Sequence, residues 1–174
     1  ILGHENSDSG VVRLGYEVHP GYFSQLDETV VRGTPFDQVM AVTDLDNTQA
    51  RTILGRFLFR GEDVFKSVSD LSGGERRRLG LLKLMLSNAN FLVLDEPTNH
   101  LDLESIEVIE QALQNTEHTV LVVSHDRYFL KKVVSRYVAL FDGKLRSFSN
   151  YDDYLEWKAQ SEVTAVGVEV KTKT

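Results

Sequence analysis

An α/β fold built on a parallel sheet is what this sequence predicts, and three observations carry that reading. Two short apolar runs, Phe91–Leu94 and Thr119–Val123, have the length of buried strands and lie between polar residues. Segments of helical period separate them, which fits crossover connections rather than hairpins. Chemistry-bearing residues follow both runs directly, Asp95-Glu96 after the first and Ser124-His125-Asp126 after the second. Strand ends of this kind are where ligands collect in open α/β sheets.

The elements follow in order. Ile1-Leu2-Gly3 reads as an apolar helix end with its glycine stop, so the chain is expected to continue upstream of Ile1. Val11–Leu14 and Val18–Phe23 read as short strands parted by a turn at Gly15-Tyr16-Glu17. Across residues 34–66, Val39 and Val42, then Ile53, Leu54, Phe57 and Leu58, recur at helical steps. With the helix Ser72–Leu86 they form an expected helical subdomain, 34–86. Leu103–Leu113 is a helix with Ile106, Ile109 and Leu113 on one face, and Arg127–Val134 is another. Asp142-Gly143 between Tyr137–Phe141 and Lys144–Phe148 signals a hairpin. Tyr151–Ala159 reads as a short closing helix. One domain is expected over 1–160, with 161–174 as a tail.

Composition sets the outer bounds. Of 174 residues, 41% are hydrophobic and 26% charged, a mix that can bury a core and is unlike a disordered chain. No apolar run approaches the ~18 residues that cross a bilayer. Cysteine is absent, which excludes disulfides and thiolate metal sites and fits a reducing cytoplasm. A net charge of −7, from 19 basic and 26 acidic side chains, argues against nucleic-acid binding by bulk attraction, and no direct DNA contact is expected.

Two constellations carry chemistry. At the end of the first strand, Asp95 and Glu96 stand near the imidazole of His125 on the neighbouring strand end. One carboxylate there can anchor a magnesium ion when phosphates and waters supply the remaining oxygens. Capping of the next turn is the plain alternative for Asp95 and Glu96; the preceding apolar strand and the following Pro97-Thr98-Asn99 turn the balance toward a site. The second is Leu71-Ser72-Gly73-Gly74-Glu75. Ser72 and Glu75 form an S-x-x-E capping box. Gly73 and Gly74 are not needed for that box and each costs about 1 kcal/mol of helix stability. Glycines at a helix start let an anion approach the exposed N–H groups. His100 reads as a turn residue, and His4, His19 and His118 as solvated loop histidines. Arg76-Arg77-Arg78 reads as a solvated, partly ion-paired face. Trp157, Tyr151 and Tyr154 are expected to pin the last helix to the sheet.

These motifs in order, LSGGE (Leu71–Glu75), FLVLDE (Phe91–Glu96), PTNHLD (Pro97–Asp102) and VSHD (Val123–Asp126), resemble an ATP-binding cassette nucleotide-binding domain. They match its signature motif, Walker B strand, D-loop and switch histidine, and Gly21–Gln25 resembles the strand entering its Q-loop. EPTNHLD, SHDRYFL and NYDDYLEW are similar to subfamily F, and ILGRFLFRGEDVFKSVSDLSGGE is similar to its second cassette. The likeness covers about residues 1–158. Glu75 stands where many cassettes have Gln. The phosphate loop G-x-x-x-x-G-K-[ST] is not found; in the family it precedes these strands, so it is expected upstream of Ile1.

The resemblance implies a phosphate-transfer site with ATP and Mg2+. Asp95 and Gln25 would serve the magnesium ion, Glu96 would orient or deprotonate the attacking water, and His125 would meet the γ-phosphate. Ser72, Gly73, Gly74, Glu75 and Asp102 would serve a nucleotide shared with a second cassette on the same chain. Subfamily F also implies a cytoplasmic protein acting on the ribosome, as a translation factor or in antibiotic resistance. Two alternatives stand beside it: the ATPase subunit of a membrane transporter, and a non-catalytic docking piece. Without a phosphate loop, the 174 residues alone are expected to turn over no ATP.

Overall fold

A computed structural model describes residues 2–3, 5, 7–24 and 32–171, the stretch 162–171 as backbone only. In chain order the regular elements are β1 (Pro20–Phe23), α1 (Pro35–Met40), α2 (Asn47–Arg56), α3 (Gly73–Leu86), β2 (Phe91–Asp95), α4 (Leu103–Gln114), β3 (Thr119–Val123), α5 (Arg127–Val133), β4 (Tyr137–Phe141), β5 (Lys144–Phe148) and α6 (Tyr151–Lys171). Short 3-10 turns at Gly61–Phe65 and Val68–Asp70 lead into α3. Packing divides the chain into two compact units, Ile1–Leu130 and Lys131–Thr174, where the sequence reading placed one over 1–160.

In the first unit β1, β2 and β3 form the expected parallel sheet, in that order, with Tyr22 opposite Val93 and Val93 opposite Leu121. The central strand is its core: Leu92 and Leu94 are fully buried. β3 is an edge, more exposed than an apolar run between helices leads one to expect, with Val123 54% accessible. Asn90 joins all three strands where they enter the sheet. Its Nδ2 donates to Glu17 O at 2.7 Å, its Oδ1 accepts from His19 N at 2.8 Å, and its carbonyl accepts from Thr119 N at 3.0 Å. Gly21 is required by close approach: a Cβ there would lie 2.6 Å from Leu84 Cδ1 and 2.8 Å from Ala89 Cβ.

The strand expected at Val11–Leu14 is absent, and β1 begins at Pro20 rather than Val18. A strand needs a partner ladder, and residues 11–14 have none among the described residues; Val11, Val12 and Leu14 are exposed.

Within 34–86 the chain forms α1, α2 and α3. Each of these helices starts with a reciprocal capping box: Thr34 with Asp37, Asp46 with Gln49, and Ser72 with Glu75. Val39, Ala50, Leu54, Phe57, Phe59, Val64, Val68, Leu71, Leu79 and Leu82 form a buried cluster. Leu58 ends α2 in the left-handed region at φ 66°. Leu58 N then donates to Gly55 O and Phe59 N to Leu54 O, a Schellman arrangement that returns Phe59 to the core.

The second unit is a hairpin with a helix. Asp142 and Gly143 both have positive φ, as a tight two-residue hairpin turn requires. Trp157 packs on Phe148 (5.3 Å between centroids) and Phe141 (5.6 Å), and Tyr151 on Tyr137 (5.4 Å). These aromatics pin the last helix to this hairpin. α6 runs to Lys171, beyond the expected stop at Ala159, so 161–171 is helix rather than tail. No proline interrupts 160–171, Gly167 is the one glycine there, and a helix ends at a stop signal rather than at a change of composition.

Candidate functional site

The carboxyl ends of β2 and β3 bring the acidic pair and the histidine together. Asp95 is the last residue of β2 and pairs with Val123, the last of β3. Glu96 N donates to Val123 O at 2.8 Å, so the next residue is still tied to the sheet while the chain turns away. That turn puts Glu96 in the left-handed region at φ 47°, unusual for a residue with a Cβ. Its side chain is 12% exposed, whereas that of His125 is 98% exposed. Glu96 Oε2 accepts from His125 N at 3.4 Å. Glu96 Oε1 is buried and accepts no hydrogen bond, with His125 Nε2 3.4 Å away. A buried carboxylate oxygen without a donor is an acceptor awaiting one, and a water fits that need.

Asp95 is half-buried beside it, and Tyr22 on β1 reaches its Oδ2 through a long 3.5 Å contact. Among the described residues no three His, Cys, Asp or Glu side chains gather into a metal cage. A hard cation at Asp95 would therefore complete its shell from phosphate and water oxygens, which suits magnesium. Gln25 lies outside the described residues.

The loop after Glu96 folds back tightly. Asn99 N donates to Glu96 O at 3.2 Å, Leu101 N to Thr98 O at 3.3 Å, and His100 takes a left-handed turn conformation. Asp102 then caps α4, its Oδ1 accepting from Ser105 N at 2.7 Å. Hydrogen bonds from Ser105 hold the Asp102 carboxyl below its usual range.

Ser72 and Glu75 do what the capping reading expects. Ser72 Oγ accepts from Glu75 N at 3.2 Å, and Glu75 Oε2 accepts from Ser72 N at 2.6 Å. Gly73 stands in open space, while a Cβ on Gly74 would meet Leu101 Cδ2 at 3.5 Å. The start of α3 thus lies against the loop that follows Glu96. The backbone bond from Ser72 holds the Glu75 carboxyl below its ordinary value of 4.5. A depressed carboxylate stabilises the fold fully above its unfolded pKa and loses that contribution as pH falls through the folded value. Stability should therefore drop from about pH 4.5 downward, and Glu75→Gln, which keeps the cap but not the charge, should flatten that limb of a melting-temperature profile.

The three arginines depart most from expectation. Arg76 alone is solvated, and even it donates to Leu71 O. Arg78 is buried, donating to Phe57 O at 3.3 Å and to Ser105 Oγ beneath the ring of Phe59. Arg77 donates from Nη2 to Glu96 O at 2.5 Å and from Nε to Pro97 O at 3.4 Å. Burial lowers its pKa, opposed by the charges of Asp95 and Glu96. Sequence reasoning missed this because an arginine run is usually solvated; the four-residue step from Arg78 to Leu82 was the available signal that the face turns inward.

The family model described as ABC transporter matches residues 4–99. The ATP-binding protein YdiF of Bacillus subtilis is 45% identical over 156 residues, spanning 88% of this chain and 24% of that protein. ABC transporter F family member 5 of Arabidopsis thaliana is 41% identical over 90% of this chain and 23% of its own length. Energy-dependent translational throttle protein EttA of Escherichia coli K12 is 38% identical over 92% of this chain and 30% of its own length. Among solved structures, the complex of archaeal ribosomal stalk protein aP1 with ribosome recycling factor aABCE1 aligns with TM-score 0.66 and 25% identity, over 82% of this chain and 29% of that one. This chain spans a quarter to a third of the curated relatives it matches. With the parallel sheet, the acidic pair at its carboxyl edge and a match over more than half the sequence, the chain belongs to the ABC transporter family of ATP-binding cassette domains.

Proposed function

We propose that this chain is part of the second ATPase cassette of a cytoplasmic, two-cassette protein of the F branch, whose ATP-driven closure acts on the ribosome in translation or antibiotic resistance. The observation that carries the ATPase reading is Glu96 Oε1, buried just past the end of β2 with no hydrogen bond made and His125 Nε2 3.4 Å away. It supports a role as acceptor for the proton of an attacking water. Magnesium, when bound with the nucleotide, neutralises charge on the β- and γ-oxygens.

Asp95 would hold that ion from the strand end, with Gln25 assigned a part in this by resemblance alone. Glu96 orients the water and takes its proton; the neighbouring His125, exposed at the strand end, donates toward the γ-phosphate. The capping box of Ser72 and Glu75 fixes the start of α3, where the N–H groups of Gly73 and Gly74 would face the nucleotide held by a second cassette. Asp102 lies at the end of the loop that would meet that partner. Hydrolysis then undoes a closure that ATP holds together. In-line phosphoryl transfer asks the protein mainly for positioning and electrostatics, which this site offers.

The ribosome enters through the relatives: one is named a translational throttle and the solved neighbour contains a ribosome recycling factor. The test is cosedimentation of the full-length protein carrying Glu96→Gln with ribosomes. Association in ATP should exceed that of the unmodified protein and greatly exceed that in ADP. No ATP-dependent association, or copurification with a membrane permease, would replace this reading by the transporter one.

A further inference from the structure

Glu96 holds a backbone conformation that a residue with a Cβ rarely adopts, φ 47°, so its surroundings must over-determine it. The sheet supplies one restraint, Val123 O accepting from Glu96 N at 2.8 Å. The rest comes from outside the sheet, and we propose that Arg77 is the positioning residue that fixes Glu96 for proton abstraction. Its guanidinium spans two consecutive carbonyls, Nη2 on Glu96 O at 2.5 Å and Nε on Pro97 O at 3.4 Å. The same plane lies 5.1 Å from the ring centroid of Phe23, itself buried at the end of β1. Helix α3, strand β1 and the Glu96–Pro97 turn thus meet on one side chain.

With Val123 O holding Glu96 N and Arg77 holding Glu96 O, the peptide planes on both sides of the Glu96 Cα are fixed, and the second contact, on Pro97 O, steadies the turn that follows. Releasing either lets that residue relax toward ordinary φ, and Oε1 would leave its buried position. A planar fork with donors on separate nitrogens can hold both at once; an ammonium is a point charge and cannot reproduce the spacing. The cation also stands near Asp95 and Glu96, where it offsets two adjacent negative charges at a half-buried strand end. Because Arg77 sits on the helix that Ser72 begins, the position of the base is tied to the helix expected to face the second cassette. Arg77 touches no reacting atom; it acts through Glu96.

This inference rests on the ATPase reading, and its test separates the two. Arg77→Gln and Arg77→Lys are made in the full-length protein beside Glu96→Gln. Both Arg77 variants should lose on the order of 10- to 100-fold in kcat, the scale of a misplaced catalytic group, with KM for ATP changed less than about twofold. Amide exchange at Glu96 and Asn99 should quicken in both, with or without nucleotide. If Arg77→Gln does not fold, Arg77→Lys carries the test, because it keeps charge and most of the stem over Phe23. Parental kcat in the folded Arg77 variants, with Glu96→Gln inactive, overturns the positioning role and leaves the ATPase reading standing. Parental turnover in Glu96→Gln as well overturns that reading itself. A lowered melting temperature with unchanged kcat and exchange marks Arg77 as structural only and equally overturns the proposal.

Discussion

Glu96→Gln is expected to lower ATP turnover by the full-length protein by about 10²-fold or more while nucleotide binding survives. The amide keeps the length of the side chain and can still accept from His125 N through its oxygen, so the turn after β2 is preserved. What it cannot do is take up a proton. A 10²-fold loss corresponds to about 2.7 kcal/mol of transition-state stabilisation, more than a rearranged hydrogen bond between neutral groups explains. The site makes a second, opposite demand on the same substitution. Glu96 is buried and one of its oxygens is unsatisfied, so removing the charge relieves desolvation. Melting temperature should hold or rise as turnover falls. Steady-state phosphate release, equilibrium binding of a fluorescent ATP analogue and a thermal melt together decide the matter. Turnover at the parental rate would show that Glu96 is not the base.

The largest expected stability effect lies away from the chemistry, at Phe59. Its side chain is 1% exposed in the cluster that joins α1, α2 and α3, and the Schellman turn at Leu58 delivers it there. Arg78 stacks over the ring at 5.7 Å while bonding to Phe57 O and Ser105. Phe59→Ala leaves a cavity under a buried cation and should cost about 3–5 kcal/mol. That is a large share of the 5–15 kcal/mol typical of a domain. Phe59→Leu, which refills most of the volume, should cost clearly less. The comparison is read from urea midpoints at constant slope. A loss below about 1 kcal/mol for the alanine variant would mean that the core collapses around the gap.

What was legible in the sequence was whatever repeats with a physical period or caps a helix. Phe91–Leu94 and Thr119–Val123 could be read because a parallel strand needs apolar residues on both faces. The subdomain helices could be read because Val39 and Val42, then Ile53, Leu54, Phe57 and Leu58, recur at helical steps, and because Ser72 stands at the start of α3 with Glu75 three residues on. That Asp95, Glu96 and His125 would stand together was legible from their place after neighbouring strands. Three things were not. Val11–Leu14 is apolar and β-branched enough to look like a strand, but pairing is a property of partners. Arg77 and Arg78 look solvated until the carbonyls of residues 57, 96 and 97 are placed beside them. The left-handed turn at Glu96 has no signature, because neither a helix end, as at Leu58, nor a hairpin, as at Asp142, calls for it there.

Asn90 has a mechanical consequence. One side-chain amide and its backbone fasten β1, β2 and β3 at their entering ends with bonds of 2.7–3.0 Å, while at the exits the ladder and the Arg77 fork are joined by two longer contacts, Tyr22 to Asp95 at 3.5 Å and His125 N to Glu96 at 3.4 Å. Such a sheet is a fan riveted at its handle. Its handle should open only with global unfolding, whereas the blades at Phe23, Asp95 and Val123 can spread by fractions of an ångström at small cost. Compliance then grows along each strand toward the residues that would do the chemistry, and stiffness is kept where no substrate arrives.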